Sequence, residues 1–378
     1  MMSSIYLGQT AFLVFLDLLM LILAYLVMKP AIVSPYVVNG SRRTLGIIIC
    51  FLFCLFSFWG ADWYGYIAEI AVIKEFGASN SNMERFYIWL IENVSDNYLV
   101  FRTIVWGSAL FLFLLTLRRL QIRFDLALLL FSTVWIIWFS YARVSLSMSI
   151  LFFGSSLLYK PSCRHKLLSY ALGIAAIVCA FFLHKSSVFG ISVVVLAILS
   201  QNKPKNISTV LLIAFPVFVL LAGYFINNLS LLDIGDESDL SFYLEAGAKH
   251  LRKRGGGGGI GTFIQKLLER IPYYILAFYA LKSMRSSSYY EMPKEIQLFV
   301  RILIYVVLFA SVFAFNFGPN TRVLYSRFLR FAAIPAVIVL SYMLEHGMFN
   351  GWPRRIYHFA LAGSFYSVLY MMYNAFVG

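Results

Sequence analysis

Long apolar runs alternate with short polar segments along this chain, from near its first residue to its last. A helix that crosses a bilayer needs about 20 largely apolar residues and satisfies its own backbone groups, so the pattern predicts an all-α polytopic membrane protein. The runs fall at 6–28, 44–61, 98–117, 125–141, 143–159, 167–184, 186–200, 207–226, 263–281, 296–315, 328–344 and 356–376. That is about 12 transmembrane helices, with a range of roughly 11 to 13, and the 186–200 run is short enough to re-enter rather than cross. The first run has no basic segment before it and no small-residue cleavage pattern after it, so it reads as a retained helix.

Two segments between runs are too long to be turns. Segment 62–97 interleaves aromatic and charged residues, with apolar positions at helical spacing, and predicts amphipathic helices lying at the membrane interface. Segment 227–262 carries five acids and then LRKRGGGGGIG, in which three basic residues abut a glycine run. The whole of 1–378 reads as a single integral-membrane domain.

Composition narrows this further. The chain is 61% hydrophobic and 13% charged, which leaves little room for a soluble domain. Its net charge of +14 comes from basic residues scattered through short connections, so topology accounts for it and no nucleic-acid partner is implied. Lys29, Arg42, Arg43, Arg118, Arg119, Arg123, Lys160, Arg164, Lys166, Lys203, Lys205, Lys282, Arg285, Lys294, Arg354 and Arg355 mark the cytoplasmic side. In that topology Asp62, Glu84, Arg143, His184, Lys185, Arg322 and Arg327 all fall on the outer side, which predicts one external cavity. Cys50, Cys54, Cys163 and Cys179 have neither disulfide nor metal-site spacing and read as packing groups, so no metal or cofactor is expected.

Charges that survive at the ends of membrane helices carry the candidate chemistry, because a charge in the bilayer is costly unless it meets water or a partner. Arg143 begins one run, and Ser147 and Gly154 share a helical face below it. A guanidinium suits phosphate oxygens, while the small residues suit close helix packing. His184 ends another run and precedes Lys185; a histidine can exchange a proton near neutral pH and a lysine can neutralise phosphate. Asp62, in GADWYGY, is either a base for a sugar hydroxyl or a helix-flanking acid. NTRVLYSRFLRF places Arg322, Tyr325, Arg327 and Arg330 together on a side that should be poor in basic residues, which calls for an anionic partner: lipid headgroups or a diphosphate. The glycine run lacks the strand and the Lys-Ser/Thr of a nucleotide loop and reads as a hinge, the alternative being a phosphate cradle of backbone amides beside Arg252, Lys253 and Arg254. Asp17 is a buried acid within the first run, either a packing hydrogen bond or part of a proton relay.

At these residues the chain resembles the EpsG/Wzy-like family of bacterial polysaccharide polymerases. Asp62 with Tyr64 and Tyr66, Glu84 with Phe86 and Leu90, the Arg143 run, a basic turn with Lys160 and Lys166, and Phe182 to Ser186 look like that family's ordered landmarks. The spacing of Arg143 and Gly154 looks like an arginine-to-glycine pattern of O-antigen polymerases. Where the family often has an arginine and then Tyr-Phe, Arg327 is followed by Arg330-Phe331. The resemblance implies a glycosyltransferase of the C-type in the bacterial inner membrane, acting at the periplasmic face on undecaprenyl-diphosphate-linked glycans for O-antigen, capsule or exopolysaccharide. It implies Asp62 or His184 as the base, Arg143, Arg322 and Arg327 as a diphosphate clamp assisted by Lys185, and Glu84, Tyr325 and Arg330 as further substrate contacts. A flippase and a chain-length regulator are the pathway partners it implies. The rival readings are a lipid-linked-sugar flippase or transporter, which would line a path through the bundle and show related halves, and a membrane glycan ligase or acyltransferase using the same outer arginines.

Overall fold

The computed structural model describes residues 2–29, 40–56, 62–81, 83–135, 142–159, 166–201, 260–314, 325 and 327–377. The predicted span 207–226, nearly all of segment 227–262, and Arg322 lie outside the described residues. Among those described there is no strand. In chain order the helices are α1 (Met2–Met28), α2 (Gly40–Phe56), α3 (Asp62–Phe76), α4 (Arg85–Asn93), α5 (Tyr98–Leu120), α6 (Phe124–Leu130), α7 (Ala142–Tyr159), α8 (Lys166–Leu183) and α9 (Ser187–Leu199). They continue with α10 (Ile260–Ser283), α11 (Ser287–Glu291), α12 (Lys294–Ala314), α13 (Ala333–Glu345) and α14 (Trp352–Val377). Tyr98–Leu120, Lys166–Leu183 and Arg327–Glu345 are each long and apolar enough to cross a membrane.

The centre of the bundle is α7, which packs against α5, α8, α9, α12 and α13. Helices surrounded by lipid gain little from burying apolar surface, so close association depends on small residues that let backbones approach. The pairing of α7 with α8 follows that rule. A Cβ added at Gly154 would lie 2.8 Å from the Gly173 carbonyl oxygen, and one at Gly173 would lie 3.0 Å from the Gly154 carbonyl oxygen. The outward side of α8 is apolar and exposed, at Leu167, Leu168, Leu172, Ile174, Val178 and Phe182.

The glycine contact also fixes register. Arg143 precedes Gly154 by eleven residues and His184 follows Gly173 by eleven. At about 3.6 residues per turn, eleven residues make almost three whole turns. Each site residue therefore sits on the glycine face of its own helix, and because the helices run antiparallel the two reach the same level. One turn in from that end, the Ser147 hydroxyl donates to the Ala180 carbonyl at 3.2 Å and also meets the Ser187 hydroxyl at the start of α9.

Two further contacts tie the remaining helices in. Pro272 lies inside α10 and removes the bond its N–H would give to the carbonyl four residues back, that of Leu268. Gly363 of α14 packs there, so close that an added Cβ would lie 3.1 Å from the Leu268 oxygen. At the other end of the bundle, Arg301 of α12 is buried and donates from Nε to the Ala197 carbonyl of α9 (2.8 Å) and from Nη1 to the Tyr289 hydroxyl of α11 (2.6 Å).

Candidate functional site

The predicted amphipathic segment forms α3 and α4, joined by a short turn that presents Glu84. The Ser81 hydroxyl donates to Glu69 on α3 at 2.8 Å and accepts the Met83 N–H at 3.1 Å, which fixes the turn. An exposed pair, Lys74 Nζ to Asp96 Oδ2 at 2.6 Å, ties the C-terminal end of α3 to the connection that follows α4. Glu84 stands at the N-cap of α4, yet its carboxylate does not cap the helix. It turns inward.

There it bridges two helices distant in sequence. Glu84 Oε2 accepts from Arg143 Nη1 at 2.8 Å, and Oε1 meets His184 Nδ1 at 2.8 Å. Arg143 is held from behind by the α3–α4 aromatics. The Tyr66 hydroxyl accepts from Arg143 Nε at 3.2 Å and from its backbone N–H at 3.4 Å, so one phenol both orients the guanidinium and satisfies an open donor in the first turn of α7. Tyr87, fully buried one turn after Glu84, donates from its hydroxyl to the Arg143 carbonyl at 3.2 Å. Phe101 of α5 supports both tyrosines, with centroid distances of 5.8 Å to Tyr66 and 5.9 Å to Tyr87. Nε and Nη1 of Arg143 are thus engaged, and Nη2 is uncommitted among the described residues.

Electrostatics separate the roles of the two titratable groups. Burial by itself would raise the Glu84 carboxyl, but the hydrogen bond from His184 and the Arg143 charge outweigh it and hold the group below its ordinary value. Burial lowers His184 most; the Glu84 contact opposes this, while the charges of Arg143 and Arg327 add to it, leaving the imidazole below its usual range. The 2.8 Å contact would be an ion pair if the ring were protonated. Burial and the two arginines keep it neutral at neutral pH. A carboxylate only accepts, so the ring proton belongs on Nδ1 and the lone pair on Nε2.

Arg327 comes to the site on a short helical stretch locked against α9. Phe328 stacks on Phe189 at 4.1 Å between centroids, and an added Cβ at Gly190 would lie 2.7 Å from Phe331 and 2.6 Å from Leu151 of α7. The structure therefore brings Glu84, Arg143, His184 and Arg327 to one end of the bundle. Lys185 lies in the exposed turn after His184, and Arg330 in the 3₁₀ turn Arg330–Ala332. Tyr325 is buried and faces α10, where its ring lies 4.4 Å from the Arg270 guanidinium carbon. Asp62 is the first residue of α3, and its side chain lies outside the described set.

Sequence reading missed Tyr87 as a site residue, although its place one turn after Glu84 was a usable signal. It also gave Gly154 no packing partner, which Gly173 supplies. Among the described residues no group of three or more His, Cys, Asp or Glu could hold a metal ion, and the site offers one carboxylate and one imidazole. Chemically it presents a neutral, oriented imidazole beside two guanidinium groups, suited to taking a proton where negative charge develops. No curated protein and no solved structure matches the chain. The EpsG family model matches residues 41–377.

Proposed function

The chain belongs to the EpsG family, and from that premise we propose that it is a membrane polysaccharide polymerase that joins undecaprenyl-diphosphate-linked oligosaccharide repeats at the periplasmic face of the bacterial inner membrane. In this reading it is a glycosyltransferase of the C-type with about 12 spans, each of about 20 residues, and it works beside a flippase and a chain-length regulator.

The observation that carries the reading is the bridge by Glu84 between Arg143 and His184, residues 59 and 100 positions away in sequence. Nε2 of His184 takes the proton of the acceptor sugar hydroxyl as its oxygen attacks the anomeric carbon of the growing glycan. The bond from that carbon to the diphosphate breaks, and the electron pair leaves with undecaprenyl diphosphate. Glu84 stabilises the imidazolium that forms and keeps Nδ1–H pointing at itself. Arg143, through Nη2, and Arg327 face the charge that develops on the leaving diphosphate, with Lys185 and Arg322 assisting. In this reading His184, and not Asp62, is the base.

Deleting the gene, restoring it on a plasmid and resolving the surface glycan by size tests this. The proposal expects the ladder to collapse to one repeat unit, to return with the wild-type plasmid, and to stay collapsed with His184→Gln at equal protein abundance. A ladder unchanged by the deletion would rule out polymerisation of that glycan, and loss of even the single repeat would point to flipping or an earlier step.

A further inference from the structure

The helix that presents Glu84 has a second face. On α4, Tyr87, Leu90 and Ile91 are buried, and Arg85, Phe86, Trp89, Glu92 and Asn93 form the opposite, exposed stripe. Phe86 and Trp89 stand one turn apart. Their ring centroids are 6.5 Å from each other and their planes 26° from parallel, an offset arrangement in which both rings stay open, Trp89 at 53% exposure and Phe86 at 38%. Phe86 also meets Tyr87 edge-on at 5.2 Å, so it is braced by the phenol that bonds the Arg143 carbonyl. Asn93 donates from Nδ2 to the Trp89 carbonyl at 2.9 Å, which holds its amide on the same stripe.

Exposed apolar surface on a membrane protein ordinarily faces lipid, and the outward side of α8, which α4 touches, is wholly apolar in that way. The α4 stripe differs. Both of its apolar members are aromatic, and its other three side chains are a guanidinium, a carboxylate and an amide, groups that hydrocarbon penalises. Flat rings bordered by a few hydrogen-bonding groups suit a ligand with an apolar face and a polar edge. A pyranose ring is such a ligand: the C–H groups of one face turn partial positive charge toward the negative face of an aromatic ring, while hydroxyls radiate from its edge. The placement agrees with this. Glu84 is the N-cap of α4, so at 1.5 Å per residue Phe86 lies about 3 Å and Trp89 about 7.5 Å along the axis from the residue that bridges Arg143 and His184.

We infer that Phe86 and Trp89 form a platform on which a pyranose unit of the glycan stacks, with Arg85, Glu92 and Asn93 beside its hydroxyls. The inference rests on the polymerase reading, in which a chain of sugars leads away from the reacting bond. That reading supplies a base and cations at the bond itself but no surface for the sugars beyond it. A stacked ring is held by its C–H face, so the platform is indifferent to much of the hydroxyl pattern and lets the chain slide by one unit as it lengthens.

The test is binding rather than turnover. Oligosaccharides are released from the source bacterium's surface polysaccharide by mild acid, labelled with a fluorophore at the reducing end, and titrated with the purified protein in phosphatidylcholine nanodiscs; anisotropy reads the affinity. Wild type binds them, and Phe86→Ala and Trp89→Ala each weaken binding by about tenfold. Trp89→Tyr keeps a ring, stays within about threefold of wild type, and controls for loss of folding. Trp89→Leu separates sugar from lipid, because it keeps apolar bulk without a ring face and so should lose binding as the alanine variant does. Wild-type affinity in Trp89→Leu would overturn the inference and mark a lipid-facing position. Absence of oligosaccharide binding by the wild type would overturn it as well. If deleting the gene leaves every surface glycan ladder unchanged while Trp89→Leu still loses the oligosaccharides, the platform stands and only the polymerase reading falls.

Discussion

Replacing Glu84 by glutamine removes one charge and little else, and the geometry of its two contacts sets the effect. The amide has one oxygen and one NH2 where the carboxylate had two acceptors. If the oxygen faces Arg143, the NH2 faces Nδ1 of His184, which must then accept, and the ring proton moves to Nε2, where it blocks the base. If the oxygen faces His184, the NH2 meets the Arg143 guanidinium donor to donor. In the first orientation both contacts persist with the tautomer reversed; in the second, one of the two 2.8 Å contacts is lost. A hydrogen bond to a charged group contributes about 1.5–3 kcal/mol, and the partial exposure of these side chains places the stability loss near the lower half, about 2 kcal/mol. The loss of an oriented base costs the rate about 10²- to 10⁴-fold. The pH dependence separates positioning from simple destabilisation. His184 is held below its ordinary value of about 6.5, so wild-type extension should fall only as pH drops through that lowered value. Glu84 is the group that raises His184, so the residual activity of Glu84→Gln should keep its acid limb at still lower pH. Both folded-state values are depressed, so each group's contribution to stability is present above its unfolded value and lost as pH falls through the folded one. The glutamine variant should lack the loss that belongs to Glu84. Extension of a synthetic lipid-linked repeat by purified protein between pH 5 and 8, with thermal unfolding alongside, measures all of this. A wild-type rate at neutral pH, or an acid limb shifted upward, would refute the reasoning.

Arg143→Lys should fold but extend chains at least tenfold more slowly, because an ammonium cannot engage Glu84 and the Tyr66 hydroxyl with one rigid fork; a gel of products at matched abundance reads it. Gly154→Ala places a methyl 2.8 Å from the Gly173 carbonyl oxygen and should cost about 1–3 kcal/mol, seen as a lower unfolding temperature. Tyr289→Phe removes the 2.6 Å bond to the charged Arg301 and should cost about 1.5–3 kcal/mol while leaving the extension rate per folded molecule unchanged, since Ala197, which also accepts from Arg301, lies at the far end of α9 from the site.

The helices were legible because hydrophobic length is written locally: α5, α7, α8, α9, α12 and α13 lie where the apolar runs do. Arg143 and His184 were legible as charges at helix ends. What joins them was not. The partner of a carboxylate is set by tertiary packing, so Glu84 read as a substrate contact, whereas its two oxygens are occupied by Arg143 and His184. Arg270 and Arg301 escaped notice because each lies within an apolar run, where a single charge barely alters the average. Their stacking and hydrogen-bond partners, Tyr325 for one and Ala197 and Tyr289 for the other, come from other segments of the chain.

The contact of Gly154 with Gly173 makes α7 and α8 a pair of levers of equal arm. With no side chain between the backbones to absorb strain, the contact acts as a pivot, and eleven residues on either helix give an arm of about 16 Å. A tilt of about 5° at the pivot moves Arg143 relative to His184 by about 1.4 Å on that arm, and a misplacement of about 1 Å is enough to cost a reaction roughly 10²-fold. Forces applied to the far ends of these helices, by a bound partner or a change in bilayer thickness, would therefore reach the site amplified in effect though not in distance. A load on the far ends of α7 and α8 would need no contact with the site to slow its chemistry.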